Sequence, residues 1–177
     1  MPAHYDVLGA NAVWRGGSAD SVANAQFEKM KTLVGDWEYK GPDGDRMVDT
    51  FRIFGEGSAI LHLEKTAGRQ DVITIFYPVG AELRGDHYCF MKNQPRYVAS
   101  PSSDPSVITF KFRDITNLSA SSQEGQMHST TWRFVDADHL MQEWHLWENG
   151  RSASLPAGVQ AREVWPRSRH MRGSKSE

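Results

Sequence analysis

Three adjacent residues, His87, Tyr88 and Cys89, carry side chains that can transfer protons, donate hydrogen bonds or act as nucleophiles. Alternate side chains of a β-strand point to opposite faces, so His87 and Cys89 share one face and Tyr88 takes the other. We expect His87 and Cys89 to face the interior, because cysteine is among the most buried residue types. A buried histidine can then act as a general acid or base. The pattern also fits an alternative in which Cys89 is core packing and His87 is a hydrogen-bonded wall residue.

A second polar group follows a few positions later, in the stretch Asn93-Gln94-Pro95-Arg96. Proline lacks the N–H that a strand ladder needs, so Pro95 favours a strand start, with Asn93 and Gln94 in the preceding turn. Asn93 and Arg96 can then bind a carboxylate or carbonyl group at the mouth of a pocket. The alternative is turn chemistry, together with a structural Arg96 that pairs with a carboxylate such as Glu143.

Two later segments show a gradient from apolar to polar side chains. Alternation places His128 and Thr130 on the same face as Trp132, with Gln142 and Trp144 on the inner face of the neighbouring segment. Such a surface is typical of a ligand pocket, and it also fits a filled barrel with one hydrogen-bonded histidine.

These patterns together define a predicted site. Tyr77 belongs to it only if a bulge before Pro78 turns its side chain inward. The catalytic candidates are His87, His128 and Tyr88. The residues predicted to contact a ligand are Phe76, Tyr77, His87, Cys89, Asn93, Arg96, His128, Thr130, Trp132, Gln142 and Trp144.

The histidines do not form a recognisable metal motif. His62, His87, His128 and His145 lie on different predicted strands, and alternation places His62 and His145 on outer faces. The sequence has no histidine pair at helical spacing and no serine in a strained elbow motif. We therefore predict no metal site and no Ser–His–Asp triad.

The elements that position these residues follow from hydrophobic periodicity. Phe27, Met30 and Val34 have helical spacing and predict a helix that ends at Gly35. Period-two segments separated by short turns then predict about ten antiparallel strands, at 36–40, 46–54, 58–65, 72–77, 82–91, 96–100, 107–113, 127–135, 140–147 and 160–165. The predicted fold is all-β: an up-and-down antiparallel barrel of about ten strands preceded by one short α-helix, with a two-sheet sandwich as the alternative.

The composition of the 177 residues sets outer bounds on function. The net charge is −2, and 8 Phe, 6 Trp and 5 Tyr give a folded core that depends on aromatic rings. The charge excludes a nucleic-acid binder that works by bulk charge, and no apolar run is long enough to span a membrane. The lone Cys89 excludes an internal disulfide, and the N-terminal sequence does not resemble a secretory signal, so we expect a cytoplasmic protein.

The predicted organisation is a single domain between two peripheral segments. Residues 1–22 are expected to be a flexible arm, residues 23–166 the β-barrel domain, and residues 167–177 a charged tail.

Three segments carry a resemblance to a known family. The first, 27–38, ends in Gly-Asp-Trp-Glu. The second joins 72–77 to 85–96, which contains His-Tyr-Cys and then Asn-Gln-Pro-Arg. The third is 133–150, which ends in Glu-Asn-Gly. The chain resembles bacterial lipocalin-like (calycin) proteins, in particular an uncharacterised branch with the His-Tyr-Cys and Asn-Gln-Pro-Arg signature. The resemblance implies a β-barrel with Trp37 at the closed end and a pocket at the other end.

A more distant resemblance connects the chain to nitrobindin-type barrels, which hold haem through a C-terminal histidine. The last predicted strand, 160–165, contains no histidine, and the nearest one, His170, belongs to the predicted tail. We therefore expect no cofactor, with haem as the alternative.

The favoured function is the binding of a small, mostly apolar ligand in the barrel cavity. The alternatives are an enzyme of isomerase, cyclase or lyase type that uses a buried histidine in the same cavity, and a haem-binding barrel. We expect no nucleic-acid or membrane partner. An apolar outer patch at Ile73, Ile75 and Tyr77 suggests a homodimer, unless the helix covers it.

Overall fold

The computed structural model describes residues 22–40, 44–66, 68–118, 125–155 and 158–162. One α-helix, α1 (Val22–Lys31), precedes the strands. The described strands are β1 (Gly35–Lys40), β2 (Arg46–Phe54), β3 (Ala59–Thr66), β4 (Val72–Val79), β5 (Glu82–Tyr88), β6 (Gln94–Ala99), β7 (Val107–Thr116), β8 (Gln126–Phe134), β9 (His139–Glu148), β10 (Arg151–Ser154) and β11 (Gly158–Arg162).

The sheet closes on itself into a barrel. Strands β1 to β9 pair in sequence order as an antiparallel meander, except that β11 lies between β9 and β1 and completes the ring. The short β10 pairs with the remaining length of the same β9 edge and stands outside the ring. The prediction of a closed antiparallel barrel of about ten strands after one short helix is confirmed. Closure pairs the strand edges that an open sheet would expose.

Helix α1 closes one end of the barrel with an apolar face. Ala23, Phe27 and Met30 are buried at spacings of four and three residues, and they join the interior hydrophobic cluster. Trp37 is buried next to this end, where its indole N–H donates to the Leu33 carbonyl at 2.7 Å. The chain therefore has a plugged end at the helix and a second end formed by the opposite strand termini.

The ends of several elements differ from the sequence prediction. The helix stops at Lys31, and Gly35 begins β1, with a positive φ of 135° that favours glycine. Strand β5 stops at Tyr88, because the chain turns back through Lys92, which also has positive φ. Strand β10 is not apparent from the sequence, because its four residues are all exposed and carry no alternation.

Other predictions fall on parts of the chain outside the described residues. These are most of the N-terminal arm, the C-terminal tail and the last four residues of the predicted barrel domain. Among the described residues, no helix has the length and hydropathy needed to cross a membrane.

The outer face of β3 and β4 carries an apolar patch. Leu61 lies opposite Ile75 and Leu63 opposite Ile73, and all four side chains are partly exposed. The buried face of α1 belongs to the interior cluster instead. The homodimer therefore remains a prediction.

Candidate functional site

A cavity of about 540 Å³ opens between the strand ends that lie away from α1. Its wall contains apolar side chains, among them Met47, Val72 and Met127. Exposed residues at its edge, such as Arg69 and Phe90, show that the cavity reaches solvent. Ligand pockets commonly have volumes of about 300–1,000 Å³ and mostly apolar walls.

A network of polar side chains, which we call the polar belt, crosses the barrel interior between the cavity and the plugged end. It consists of Asp49, His62, Thr74, His87, Gln142 and Gln160, all of which are buried. Gln142 and Gln160 each donate an amide N–H to Asp49 Oδ2, at 3.1 Å and 2.6 Å. Gln142 also donates to Gln160 Oε1 at 3.1 Å. Hydrogen bonds thus join Asp49, Gln142 and Gln160 from strands distant in the sequence, and a separate one joins Thr74 to His87.

His62 and Asp49 are fully buried next to each other. His62 Nε2 lies 3.1 Å from Asp49 Oδ2, within ion-pair distance, whereas His62 Nδ1 has no hydrogen-bond partner. Burial alone lowers the pKa of His62, but the negative charges of Asp49 and Glu64 outweigh this effect and raise it. His62 also stacks on Phe51 at 4.5 Å between ring centroids.

Glu64 is the carboxyl group that connects this cluster to the cavity. It lies opposite Asp49 across the β2–β3 pair and lines the cavity. Burial raises its pKa to about 7, while His62 lowers it and Asp49 raises it further. One ligand-type atom from each of Asp49, His62 and Glu64 lies within 4.8 Å of the other two.

His87 lies on the cavity wall, on the inner face as predicted. Its Nδ1 is 2.8 Å from the Thr74 hydroxyl, and its Nε2 has no hydrogen-bond partner. Burial, together with the nearby charge of His62, lowers the pKa of His87 to about 3. The imidazole is therefore neutral at physiological pH and can offer a donor or an acceptor according to its tautomer.

Gln142 and Trp144 also line the cavity, and Trp144 donates its indole N–H to Gln142 Oε1 at 3.1 Å. Trp144 is tilted against His87 at 5.3 Å between ring centroids. Of the residues predicted to contact a ligand, these two and His87 are the ones that line the cavity.

Phe76, Phe110 and Trp132 form a closely packed region near α1, which we call the aromatic end. Three residues of the predicted site lie there, namely Phe76, Thr130 and Trp132. Trp132 lies 5.2 Å from Phe76 and 6.0 Å from Phe110 between ring centroids. Thr130 is fully buried beside them, donating its hydroxyl to the Glu143 carbonyl and accepting the Trp132 indole N–H. Phe76, Thr130 and Trp132 do not line this cavity, because rings and satisfied hydrogen bonds fill their surroundings, and their contact with a ligand stays a prediction.

Three further predicted residues lie outside the cavity. Tyr77 continues the outer face of β4 without a bulge and donates its hydroxyl to Asp86 at 3.0 Å. Tyr88 is 49% exposed, on the face opposite His87. Arg96 pairs with Asp114 across the β6–β7 strand pair, instead of with Glu143 as the structural alternative suggested. These three side chains alternate away from the interior, and their predicted contacts with a ligand stay predictions.

His128 does not follow the predicted alternation. The β8–β9 register shifts between Met127 and Ser129, so a β-bulge removes His128 from the inner face and places Met127 on the cavity wall. His128 instead stacks on Phe112 at 4.8 Å between ring centroids. Sequence alternation could not locate this bulge, which overturns the prediction for His128.

Asn93 and Cys89 belong to the turn between β5 and β6. Asn93 is buried, and its side-chain amide donates to the Gly125 carbonyl at 2.9 Å. It therefore bonds to the backbone just before β8 and does not line the cavity. Cys89 is part of the hydrophobic cluster, and burial raises the pKa of its thiol. This is the core-packing alternative for Cys89.

The main site residues that sequence reasoning missed are Asp49, His62, Glu64 and Gln160. The prediction that His62 faces outward is wrong, because β3 turns Ile60, His62 and Glu64 inward and leaves Leu61 and Leu63 partly exposed. The clearest available signal was Asp49, a charged residue on the same face of β2 as Phe51. A charge on a buried face requires partners inside the fold.

Comparisons with known proteins identify the fold. Rv2717c from M. tuberculosis superposes with a TM-score of 0.57 and 17% sequence identity, over 78% of this chain and 97% of that chain. A protein of unknown function from the DUF3598 family of Nostoc punctiforme PCC 73102 superposes with a TM-score of 0.50 and 10% identity, over 76% of this chain and 49% of that chain. No protein-family model and no curated protein matches the sequence. At these identities the likeness shows the barrel fold alone, and the lipocalin-like assignment remains a prediction.

Proposed function

We propose that the barrel binds a small, mostly apolar molecule whose polar head lies against the polar belt. The observation that carries the proposal is the cavity of about 540 Å³, open to solvent at one end and closed by the belt at the other. Met47, Val72, Met127 and Trp144 offer apolar contact to the body of such a molecule. Burying that surface supplies about 25 cal/mol for each Å² of apolar area removed from water.

The polar groups at the inner end of the cavity favour a head with a hydrogen-bond donor. The neutral imidazole of His87 brings no charge, and the amide groups of Gln142 are already engaged in the belt. Glu64 offers carboxyl oxygens that accept a hydrogen bond. A hydroxyl or amide on the ligand matches this arrangement.

Ligand binding has more support than the catalytic alternative. Two of the three catalytic candidates, His128 and Tyr88, do not line the cavity. The third, His87, has a pKa of about 3, which makes it a weak proton acceptor near neutral pH. An orienting group is the role that fits a buried, neutral His87.

The test is titration with the neutral fluorescent probe N-phenyl-1-naphthylamine. The Met47→Trp variant fills the cavity mouth, whereas Ile53→Trp adds the same ring to an exposed position on the same strand. We expect wild type and Ile53→Trp to bind the probe equally, and Met47→Trp to bind at least about tenfold more weakly, a loss of about 1.4 kcal/mol. Equal affinity in all three proteins would contradict the proposal. Native mass spectrometry of the purified protein would then identify any molecule that co-purifies.

A further inference from the structure

The cluster of Asp49, His62 and Glu64 has the donor groups and spacing of a cation site. We propose that these three side chains bind one first-row divalent cation, such as Zn²⁺ or Mn²⁺, at the inner end of the cavity. Their ligand-type atoms all lie within 4.8 Å of one another. Two ligands at right angles around an octahedral ion, each about 2.1 Å from it, are about 3.0 Å apart, so small movements suffice.

Unpartnered buried atoms point to a missing ligand at this position. Asp49 Oδ1 and His62 Nδ1 are buried without a hydrogen-bond partner, and both residues are fully inaccessible. Buried polar atoms in folded proteins are nearly always paired, so each exception needs an explanation. A cation between the two side chains accounts for one oxygen and one nitrogen together.

The surrounding residues hold the donors in place. The two glutamine amides of the polar belt occupy Asp49 Oδ2, which leaves Oδ1 as the oxygen available to an ion. The His62 ring is held by Phe51 at 4.5 Å and by the edge of Trp132 at 5.2 Å between ring centroids. Outer partners of this kind orient metal ligands and tune their affinity.

The chemistry of the donors selects the class of ion. One imidazole and two carboxylates suit Zn²⁺, Mn²⁺ or Fe²⁺, whereas Ca²⁺ and Mg²⁺ prefer oxygen ligands and Cu⁺ prefers sulfur. Two carboxylates and a neutral imidazole balance the charge of one divalent ion. Glu64 lines the cavity, so it gives the ion a route of entry and places the remaining coordination positions toward the cavity.

The experiment is metal titration of the tag-free, chelator-treated full chain. Calorimetry with ZnCl₂ measures affinity and stoichiometry, and visible absorption with CoCl₂ reports the ligand type. We expect one ion for each chain, a d–d absorption without a thiolate band, and a higher Tm with Zn²⁺, because an ion that binds only the folded state stabilises it. Glu64→Gln and His62→Gln should each bind at least about a hundredfold more weakly, a loss of about 2.7 kcal/mol.

The matched control is His145→Gln. His145 and Glu143 form another histidine–carboxylate pair, with Nε2 and Oε1 3.5 Å apart and both side chains partly exposed on β9. This variant should bind like wild type. Glu64 is at the cavity wall, so Glu64→Gln remains a test of the site if the buried His62→Gln variant does not fold. Its circular dichroism spectrum and its Tm without metal verify that it is folded.

Three results would overturn the cation site. These are no binding by wild type, full affinity in folded Glu64→Gln, and an intense thiolate-to-cobalt band that places the ion on Cys89. None of them affects the fluorescent-probe titration, which uses metal-free protein, so failure of the cation site is distinguishable from failure of ligand binding.

Discussion

The aromatic end and the polar belt are neighbouring layers of the same barrel interior, but different forces stabilise them. At the aromatic end, Phe76, Phe110 and Trp132 are fully buried and pack edge to face or tilted. In the belt, Asp49 and its amide donors are equally buried but depend on hydrogen bonds and charge. Complete burial fills one layer with packed rings and leaves polar atoms without partners in the other. Apolar packing leaves no hydrogen-bonding group without a partner, whereas a buried polar network with unpaired atoms does.

The strongest test of the aromatic end is Trp132→Ala. Removing a fully buried ring that packs against three phenylalanines leaves a cavity, so we expect the free energy of unfolding to fall by about 3–5 kcal/mol. Chemical denaturation measures the change. Trp147→Ala, at a position that is 37% exposed, should cost less than about 1 kcal/mol. Similar losses in the two variants would show that the aromatic end is not closely packed.

The belt should respond to a change of charge without a change of size. Asp49→Asn keeps the shape of the side chain but removes its charge and replaces one of its two acceptor oxygens by an NH₂ donor, so we expect a loss of about 1–3 kcal/mol in metal-free protein. Asp114→Asn makes the same change on the outer face, where Asp114 is partly exposed, and should be close to neutral. Equal effects in urea denaturation would remove the distinction between belt and surface.

The pH dependence of the free energy of unfolding tests whether His87 is neutral in the folded protein. In the unfolded chain this histidine has its ordinary pKa of 6.5, whereas in the fold the value is about 3. Between these values the unfolded state binds the extra proton, so His87 makes stability fall as pH falls from 6.5 toward 3.

This linkage gives a difference that can be measured against a variant. From pH 7 to pH 5, His87 should account for a loss of about 2 kcal/mol, and His87→Gln should lack that contribution. Urea denaturation of both proteins at the two pH values measures it. An unchanged pH response in His87→Gln would mean that His87 is not held neutral by burial.

The smallest change in stability is expected on the outer face of the barrel. Arg96→Ala removes an ion pair with Asp114 whose two side chains are 40% and 44% exposed, so we expect a loss of less than about 1 kcal/mol and unchanged probe binding. Weaker probe binding by Arg96→Ala would restore Arg96 as a residue that affects the cavity.

The success of sequence-based prediction followed the regularity of the chain. Period-two alternation located most strands and placed His87, Gln142 and Trp144 on the inner face. It failed at His128, because a bulge adds one residue to the period. It failed at His62 for another reason, since apolar Leu61 and Leu63 competed with polar neighbours for the interior.

The sequence by itself determined the barrel, the helix before it and the aromatic character of the interior, because these depend on local periodicity and composition. Only the tertiary structure decided where the site lies. Asp49 and Gln160 are 111 residues apart in the chain, yet closure of the barrel brings them within 2.6 Å. A lone polar residue on a buried face indicates that a partner is required, but strand register and closure of the barrel determine which residue that partner is.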